Sequence, residues 1–215
     1  MTSHQCLSFQ PIILTKKWED LFNDSGIYDH YLDDLDFMNE VVTTISDEYF
    51  LNEYENIVFE AAQGLLLDQN NLKYYPHLTP SNTGIKNPKK IIENVKWNDD
   101  INIETCYVSR TYLTRHGVGN FPTECRKNQI NKSMYDKTNV PNPFQDTLRY
   151  GILDLKDLYI RCVTDVMNFG DKKSIAMTHC NEYKIDVEEL EDIFEGWNIY
   201  YSDGETHDDI KESDI

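Results

Sequence analysis

The sequence predicts an α/β fold, a mixed sheet with flanking helices, and three observations carry that prediction. The first is one clean amphipathic helix over residues 154–170. The second is a set of short runs rich in β-branched and aromatic residues, at 56–60, 103–114, 174–180 and 198–202. The third is their order, strand, loop, helix, strand, which places ligand loops at strand ends. A length of 215 residues suits one structural domain, and no internal repeat or linker divides it.

The elements follow in chain order. Residues 17–40 interleave acids with Trp18, Leu21, Phe22, Tyr28, Tyr31, Leu32, Leu35 and Phe37. The spacing of Leu32, Leu35 and Met38 or Asn39 predicts a helix with a solvated Asp-rich face. The helical pattern continues over 37–54. Asn56-Ile57-Val58-Phe59-Glu60 predicts a buried strand, and Ala61-Ala62-Gln63-Gly64 a small-residue turn that lets a ligand approach the backbone. Residues 69–102, rich in Asn, Lys, Pro and Ser, read as mostly loop. A strand from Ile103 to Thr114 ends at Arg115, followed by the loop 116–122 and a polar loop over 126–147 with prolines at 141 and 143.

At 154–170, Asp154 is the N-cap of a helix. Leu155, Leu158, Tyr159, Cys162, Val163, Val166 and Met167 form its apolar stripe, and Gly170 ends it. A strand over Ser174–Cys180, a helix from an Asp186 cap to Phe194 and a strand over Asn198–Ser202 complete the pattern. The acidic tail from Asp203 reads as frayed. This organisation divides into a largely helical acidic segment (1–54), a central region (55–205) and an acidic tail (206–215).

Composition narrows the function. There are 38 acidic and 20 basic residues, a formal charge of −18 that disfavours nucleic-acid backbones. A small nucleotide remains compatible, because backbone N–H groups and one or two arginines act at close range. The apolar run Pro11-Ile12-Ile13-Leu14 is too short for a signal core or a membrane span. Cys6, Cys106, Cys125, Cys162 and Cys180 are scattered without a C-x-x-C pair, which predicts reduced thiols and a cytoplasmic location. The six histidines lack zinc-ligand spacing, so no metal site is predicted.

Four segments carry more specific information. They are Phe59-Glu60-Ala61-Ala62-Gln63-Gly64-Leu65-Leu66-Leu67-Asp68, Tyr75-Pro76-His77-Leu78-Thr79-Pro80-Ser81-Asn82-Thr83, the stretch from Tyr112-Leu113-Thr114-Arg115 through Phe121-Pro122-Thr123-Glu124, and Phe144-Gln145-Asp146-Thr147-Leu148-Arg149-Tyr150-Gly151-Ile152-Leu153-Asp154. In this order they resemble motifs of the adenylosuccinate synthetase family over about residues 55–205. The fourth is closer to the archaeal and phage form. The resemblance implies the C-terminal part of that family's P-loop-like α/β fold. It also implies a ligase that joins aspartate to C6 of IMP, or of dGMP in the phage branch making 2-aminoadenylosuccinate. Such a ligase uses a nucleoside triphosphate and Mg²⁺.

The same resemblance assigns roles. Gln63 and Thr79 would hold the nucleotide substrate, and Thr123 would shape the aspartate site. Arg149 would fork across a phosphate or carboxylate, unless it makes only a surface salt bridge. Gly117, Gly119 and Arg115 are equally consistent with a structural turn. His179, Asn181, Ser202 and Gly204 correspond to the base-binding segments. Asn181 stands where the family has an acid that reads guanine. Either guanine recognition weakens and ATP replaces GTP, or the residue binds no base. The Ser202–Thr206 loop lacks the family's proline.

The family's Gly-rich G-D-E-G-K-G loop, with its catalytic Asp, and the His that follows it have no counterpart, so no catalytic residue is assigned. His77, His116 and His179 lie in other segments. The resemblance therefore implies a chain that lacks the N-terminal catalytic half and does not act alone. It would be a split enzyme with a separate N-terminal half, or a truncated frame. The alternatives are a non-catalytic purine-nucleotide-binding relative, including one that joins full-length synthetase dimers, and an acidic decoy. The partners implied are a purine nucleotide, aspartate and either the N-terminal half or a second copy, with no nucleic acid and no membrane.

Overall fold

The computed structural model describes residues 26–42, 46–133 and 146–213. Expectations for Cys6, Trp18, Leu21, Phe22, the prolines at 141 and 143, Phe144 and Gln145 lie outside the described residues. The chain falls into two compact units, Met1–Ser46 and Asp47–Ile215.

In the first unit, helix α1 (Ile27–Val41) starts after Gly26, whose φ of 93° is left-handed. The helix ends at Val41, where extended Val42 donates its N–H to the Met38 carbonyl, so it does not run on to residue 54. Leu32, Leu35 and Met38 are all exposed, so the apolar stripe is solvated along with its acidic side.

The second unit begins with helix α2 (Asp47–Asn52). The expected buried strand at 56–60 is absent, and Val58 is 89% exposed. Its residues suit a strand, but no described strand lies beside them to pair with. The stretch 69–102 is not all loop, because α3 (Lys86–Asn94) forms within it. Pro88 is tolerated there because a first-turn residue has no intrahelical use for its N–H.

Two sheets follow. Strands β1 (Glu104–Arg110), β5 (Lys172–Thr178), β6 (Asn198–Ser202) and β7 (Ile210–Glu212) form one, in the order β1-β5-β6-β7. The first three are parallel and β7 is antiparallel to β6. The tail is thus not frayed: a short 3₁₀ turn over His207–Asp209, capped by Thr206, leads into β7. The second sheet is antiparallel, with β4 (Arg149–Ile152) between β2 (Tyr112–Arg115) and β3 (Glu124–Cys125). A mixed α/β architecture is what the sequence led us to expect.

The expected single strand over 103–114 breaks at Thr111. Its N–H donates to the Thr178 carbonyl at 3.0 Å and its hydroxyl to the His179 carbonyl at 3.1 Å. These bonds hold the chain to the end of β5 while it turns into the second sheet. Short helix α4 (Lys127–Ile130) interrupts the polar loop that follows.

Helices α5 (Leu155–Val166) and α6 (Val187–Ile193) carry the core. Asp154 caps α5 by accepting the Asp157 N–H, and Asp186 caps α6 by accepting that of Glu189. Leu155, Leu158, Cys162 and Val166 line up along α5 and pack with Leu190, Phe194 and Trp197 against Ile175, Met177 and Ile199. Phe194 meets Tyr159 and Trp197 edge-on at 5.2 and 5.3 Å between centroids. Each such side chain contributes about 1.5–3 kcal/mol by leaving water. Met167 is not part of the stripe. It caps the helix and is exposed, and left-handed Asn168 (φ 61°) and Gly170 (φ 74°) turn the chain out after it.

Asp165, at the margin of the buried stripe of α5, ties the loop region to this core. Its Oδ2 accepts the Tyr107 hydroxyl at 2.7 Å and the Ile85 N–H at 3.0 Å. Gly84 permits the approach, since a Cβ there would lie 2.2 Å from Asp165 Oδ1.

Candidate nucleotide and substrate site

The first two sequence segments fold into one knot around Asp68. Its Oδ1 accepts the Asn70 N–H and side-chain amide, both at 2.8 Å, and its Oδ2 accepts the Thr83 N–H at 2.8 Å. Burial opposes the carboxylate's charge, but the hydrogen bonds from Asn70 and Thr83 outweigh it and hold the group below its ordinary range. The buried Thr83 hydroxyl donates to the Gly64 carbonyl at 3.1 Å, and the Thr79 N–H to the Leu67 carbonyl at 2.9 Å. This fixes the backbone that follows Gln63. Gln63 itself has a left-handed φ of 70°, is exposed, and hydrogen-bonds to no described residue. Thr79 pairs its hydroxyl with that of Ser81 at 3.3 Å.

The second segment meets the third through Arg115, whose Nη2 donates to the carbonyls of His77 and Val118, both at 3.1 Å. Gly119 (φ +114°) leaves room for this contact, because a Cβ there would fall 2.5 Å from that Nη2 and 2.8 Å from His77. Burial, then the nearby charge of Arg149, lowers the Arg115 guanidinium from its usual range.

Across the second sheet Arg115 faces Arg149. Arg149 does fork across a carboxylate, but one belonging to the protein. Nε reaches Glu124 Oε1 at 2.8 Å and Nη2 reaches Oε2 at 2.6 Å. Nη1 donates to the carbonyls of Gly117 and Gly119 at 2.9 and 3.0 Å. The bonds from Arg149 depress the Glu124 pKa, and those to Glu124 raise that of Arg149. Thr123, next to this pair, has a buried hydroxyl with no partner among the described residues. It borders a depression of about 510 Å³ that also includes Thr111, Asp154, Lys156, Tyr183 and Lys184. A buried hydroxyl left unpaired is costly, and a ligand atom in the depression would satisfy it.

The base-binding candidates occupy the carboxyl ends of β5 and β6, where parallel sheets take ligands. The Cys180 N–H donates to the Ser202 carbonyl at 3.0 Å, joining the two loops. His179 has a left-handed φ of 63°, with Nδ1 2.9 Å from the Thr178 hydroxyl and its ring edge-on to Tyr112. The Ser202 hydroxyl donates to the Gly204 carbonyl at 3.2 Å. Asn181 is exposed, and its amide hydrogen-bonds to no described residue. Beside it, Glu182 accepts the hydroxyl of buried Tyr112.

The structure therefore links Gln63, Thr79, Thr123 and Arg149 in one chain of contacts, from the Asp68 knot through His77 and Arg115. His179, Asn181, Ser202 and Gly204 form a second group, reached through Thr111. Sequence reasoning missed Glu124, Asp68 and Asp165. The first two end quoted segments, a visible signal, whereas Asp165 carried none.

Comparison with known proteins decides the family. The model for adenylosuccinate synthetase matches residues 8–193. The chain belongs to the adenylosuccinate synthetase family. The match reaches well before residue 55, so the acidic helical segment shares in it, and it stops short of Ser202 and Gly204. Over 95 residues, 43% of this chain, the sequence is 38% identical to an adenylosuccinate synthetase of Theileria parva, covering 20% of that protein. Over 109 residues, 47% of the chain, it is 33% identical to one of Clostridium perfringens, covering 23%. It thus aligns with about a fifth of the length of these curated relatives.

Among the described residues no three or more His, Cys, Asp or Glu side chains are grouped to hold a metal ion. No described helix is long and apolar enough to cross a membrane.

Proposed function

We propose that this chain carries the substrate- and base-binding part of an adenylosuccinate-synthetase-type ligase. The complete enzyme joins aspartate to C6 of IMP, or of dGMP in a phage-like branch, using a nucleoside triphosphate, and works in the cytoplasm. One observation carries this reading: the described parts of all four family segments converge in one hydrogen-bonded neighbourhood that, among the described residues, leaves the Gln63 amide unengaged and the buried Thr123 hydroxyl without a partner.

In this reading the backbone around Gly64 and Leu67 presents Gln63 to the purine or its transferred phosphate, and Thr79 helps hold the 5′-phosphate. Thr123 receives aspartate. Arg149 acts through the 117–124 loop that it braces, and exchanges Glu124 for a substrate anion when the loop is filled. Asn181, with one acceptor and one donor group, reads the base of GTP or ATP together with His179, Ser202 and Gly204. Mg²⁺, the catalytic base and the catalytic acid are supplied by a part of the enzyme outside the segments described here. Positioning and charge neutralisation then drive phosphoryl transfer.

A second reading is favoured by one contact. Arg149 is already neutralised by Glu124, which suits a nucleotide-binding relative that no longer supports ligation. Titration calorimetry of the purified chain with IMP, GMP and dGMP tests the shared part. Binding of at least one, lost in Gln63→Ala, supports the site. Equal affinity in Gln63→Ala and wild type removes it. Adenylosuccinate formation by the chain alone would overturn the division of labour. Formation only after addition of a chain bearing G-D-E-G-K-G would select the split enzyme over the binding relative.

A further inference from the structure

Gln63 stands in a backbone conformation that it does not hold unaided. Its φ of 70° is left-handed, a region that a residue with a side chain keeps only where its surroundings over-determine it. A Cβ on Gly64, next in the chain, would meet nothing within 4 Å, so close packing does not fix the turn there. Hydrogen bonds do. The Gly64 carbonyl accepts the hydroxyl of Thr83, a residue only 5% exposed. Thr83 also gives its N–H to Asp68, but Asp68 belongs to the same knot and anchors it to nothing outside.

The outside anchors lie on either flank. Leu65 packs against the main core cluster, and Ile85, two residues after Thr83, donates its N–H to Asp165 Oδ2 at 3.0 Å. The same oxygen accepts the Tyr107 hydroxyl of β1 at 2.7 Å, which sets the carboxylate in place. Gly84 makes the approach possible, since a Cβ there would lie 2.2 Å from Oδ1 and 2.4 Å from Oδ2. Its backbone is not left-handed, so room for Asp165 is what the glycine supplies.

We propose that Asp165 is a positioning residue for the nucleotide site, setting the Gln63 amide through Ile85, Thr83 and Gly64. The carboxylate fixes residues 84–85 against α5 and β1. The Thr83 hydroxyl carries that fixed point to the Gly64 carbonyl, and Gly64 holds the left-handed turn of Gln63. Asp165 lies outside all four family segments and hydrogen-bonds to none of the candidate binding side chains. Its two bonds divide its roles: the one from Tyr107 joins α5 to β1, and the one from Ile85 joins α5 to the site. The inference rests on the reading of Gln63 as a purine-nucleotide contact.

Titration calorimetry of the full chain with IMP, GMP and dGMP tests it, beside urea unfolding and amide exchange. Gly84→Ala should push the carboxylate off the Ile85 N–H and weaken binding about tenfold. It should also quicken exchange of the Ile85 amide and of the Leu67 amide, which donates to the Gly64 carbonyl. Asp165→Ala should weaken binding to a similar extent. Asp165→Asn keeps an oxygen for both donors, so it should restore affinity. Tyr107→Phe leaves the Ile85 bond, and should lower the urea midpoint while affinity stays at the wild-type value. Affinity falling in step with stability through all four variants would make Asp165 merely structural and overturn the proposal. So would unchanged affinity in both Gly84→Ala and Asp165→Ala, and in either case a wild type that binds nucleotide leaves the Gln63 reading intact. A wild type that binds none of the three nucleotides overturns that reading, and this inference with it.

Discussion

Arg149 grips Glu124 with two parallel hydrogen bonds, of 2.8 and 2.6 Å, and with its remaining amino group holds the carbonyls of Gly117 and Gly119. One side chain therefore fixes both ends of the loop between β2 and β3. A lysine has the charge but not the planar fork. Arg149→Lys should lower Tm by a few degrees and accelerate amide exchange over 117–124, while leaving the Asp68 knot untouched. Unchanged exchange in that loop would show that the brace is not needed.

Asp165 is the joint between the loop region and the core. Asp165→Ala strands the Tyr107 hydroxyl and the Ile85 N–H together, and should cost about 2–3 kcal/mol in urea unfolding. Tyr107→Phe removes one donor and leaves the carboxylate on Ile85, so its effect should be smaller. Equal losses in both variants would place the importance of Asp165 elsewhere.

Acid should open the site before it unfolds the core. Asp68 and Glu124 both have depressed pKa values in the folded chain, so their stabilising contribution is complete above the ordinary carboxylate pKa of about 4. It is lost as pH falls through their lower folded values. Amide exchange at Asn70 and Thr83 should therefore quicken below about pH 4 while protection in β5 persists. In Asp68→Asn the amides of Asn70 and Thr83 should exchange faster at neutral pH and show little further change in acid.

Asn181 offers the sharpest test of base reading. A carboxylate accepts from both the N1–H and the amine of guanine, whereas an amide accepts only once. Asn181→Asp should shift preference toward GTP over ATP by about tenfold or more, measured by competition with a fluorescent nucleotide. An unchanged ratio would remove Asn181 from the base site.

The elements read best from sequence were those whose cause is local. Asp154 caps α5, four apolar residues at helical spacing bury one stripe, and Asp186 does the same for α6. β6 was legible over the whole of Asn198–Ser202 for the same reason, as a short run of strand formers after a turn. Ile57-Val58-Phe59 misled because a strand is a relation between two segments, and composition describes only one of them. α3 was hidden by Asn, Lys and Pro88, although proline in a first turn is harmless. Within the site, the motif residues were visible but their bonds were not. Arg149 and Glu124 are 25 residues apart, and Asp165 lies 58 and 80 residues from its two donors. Spacing carries no trace of such pairs.

Thr111 belongs to neither sheet, and its two bonds make the carboxyl end of β5 part of the start of β2. The buried ring of Tyr112, next in the chain, rests against both His179 and Tyr150. Its ring thus lies one contact away both from the 179–181 loop and, through Tyr150, from the strand that carries Arg149. Selective isotope labelling of that one tyrosine would make a single spectroscopic signal answer to ligands at both places.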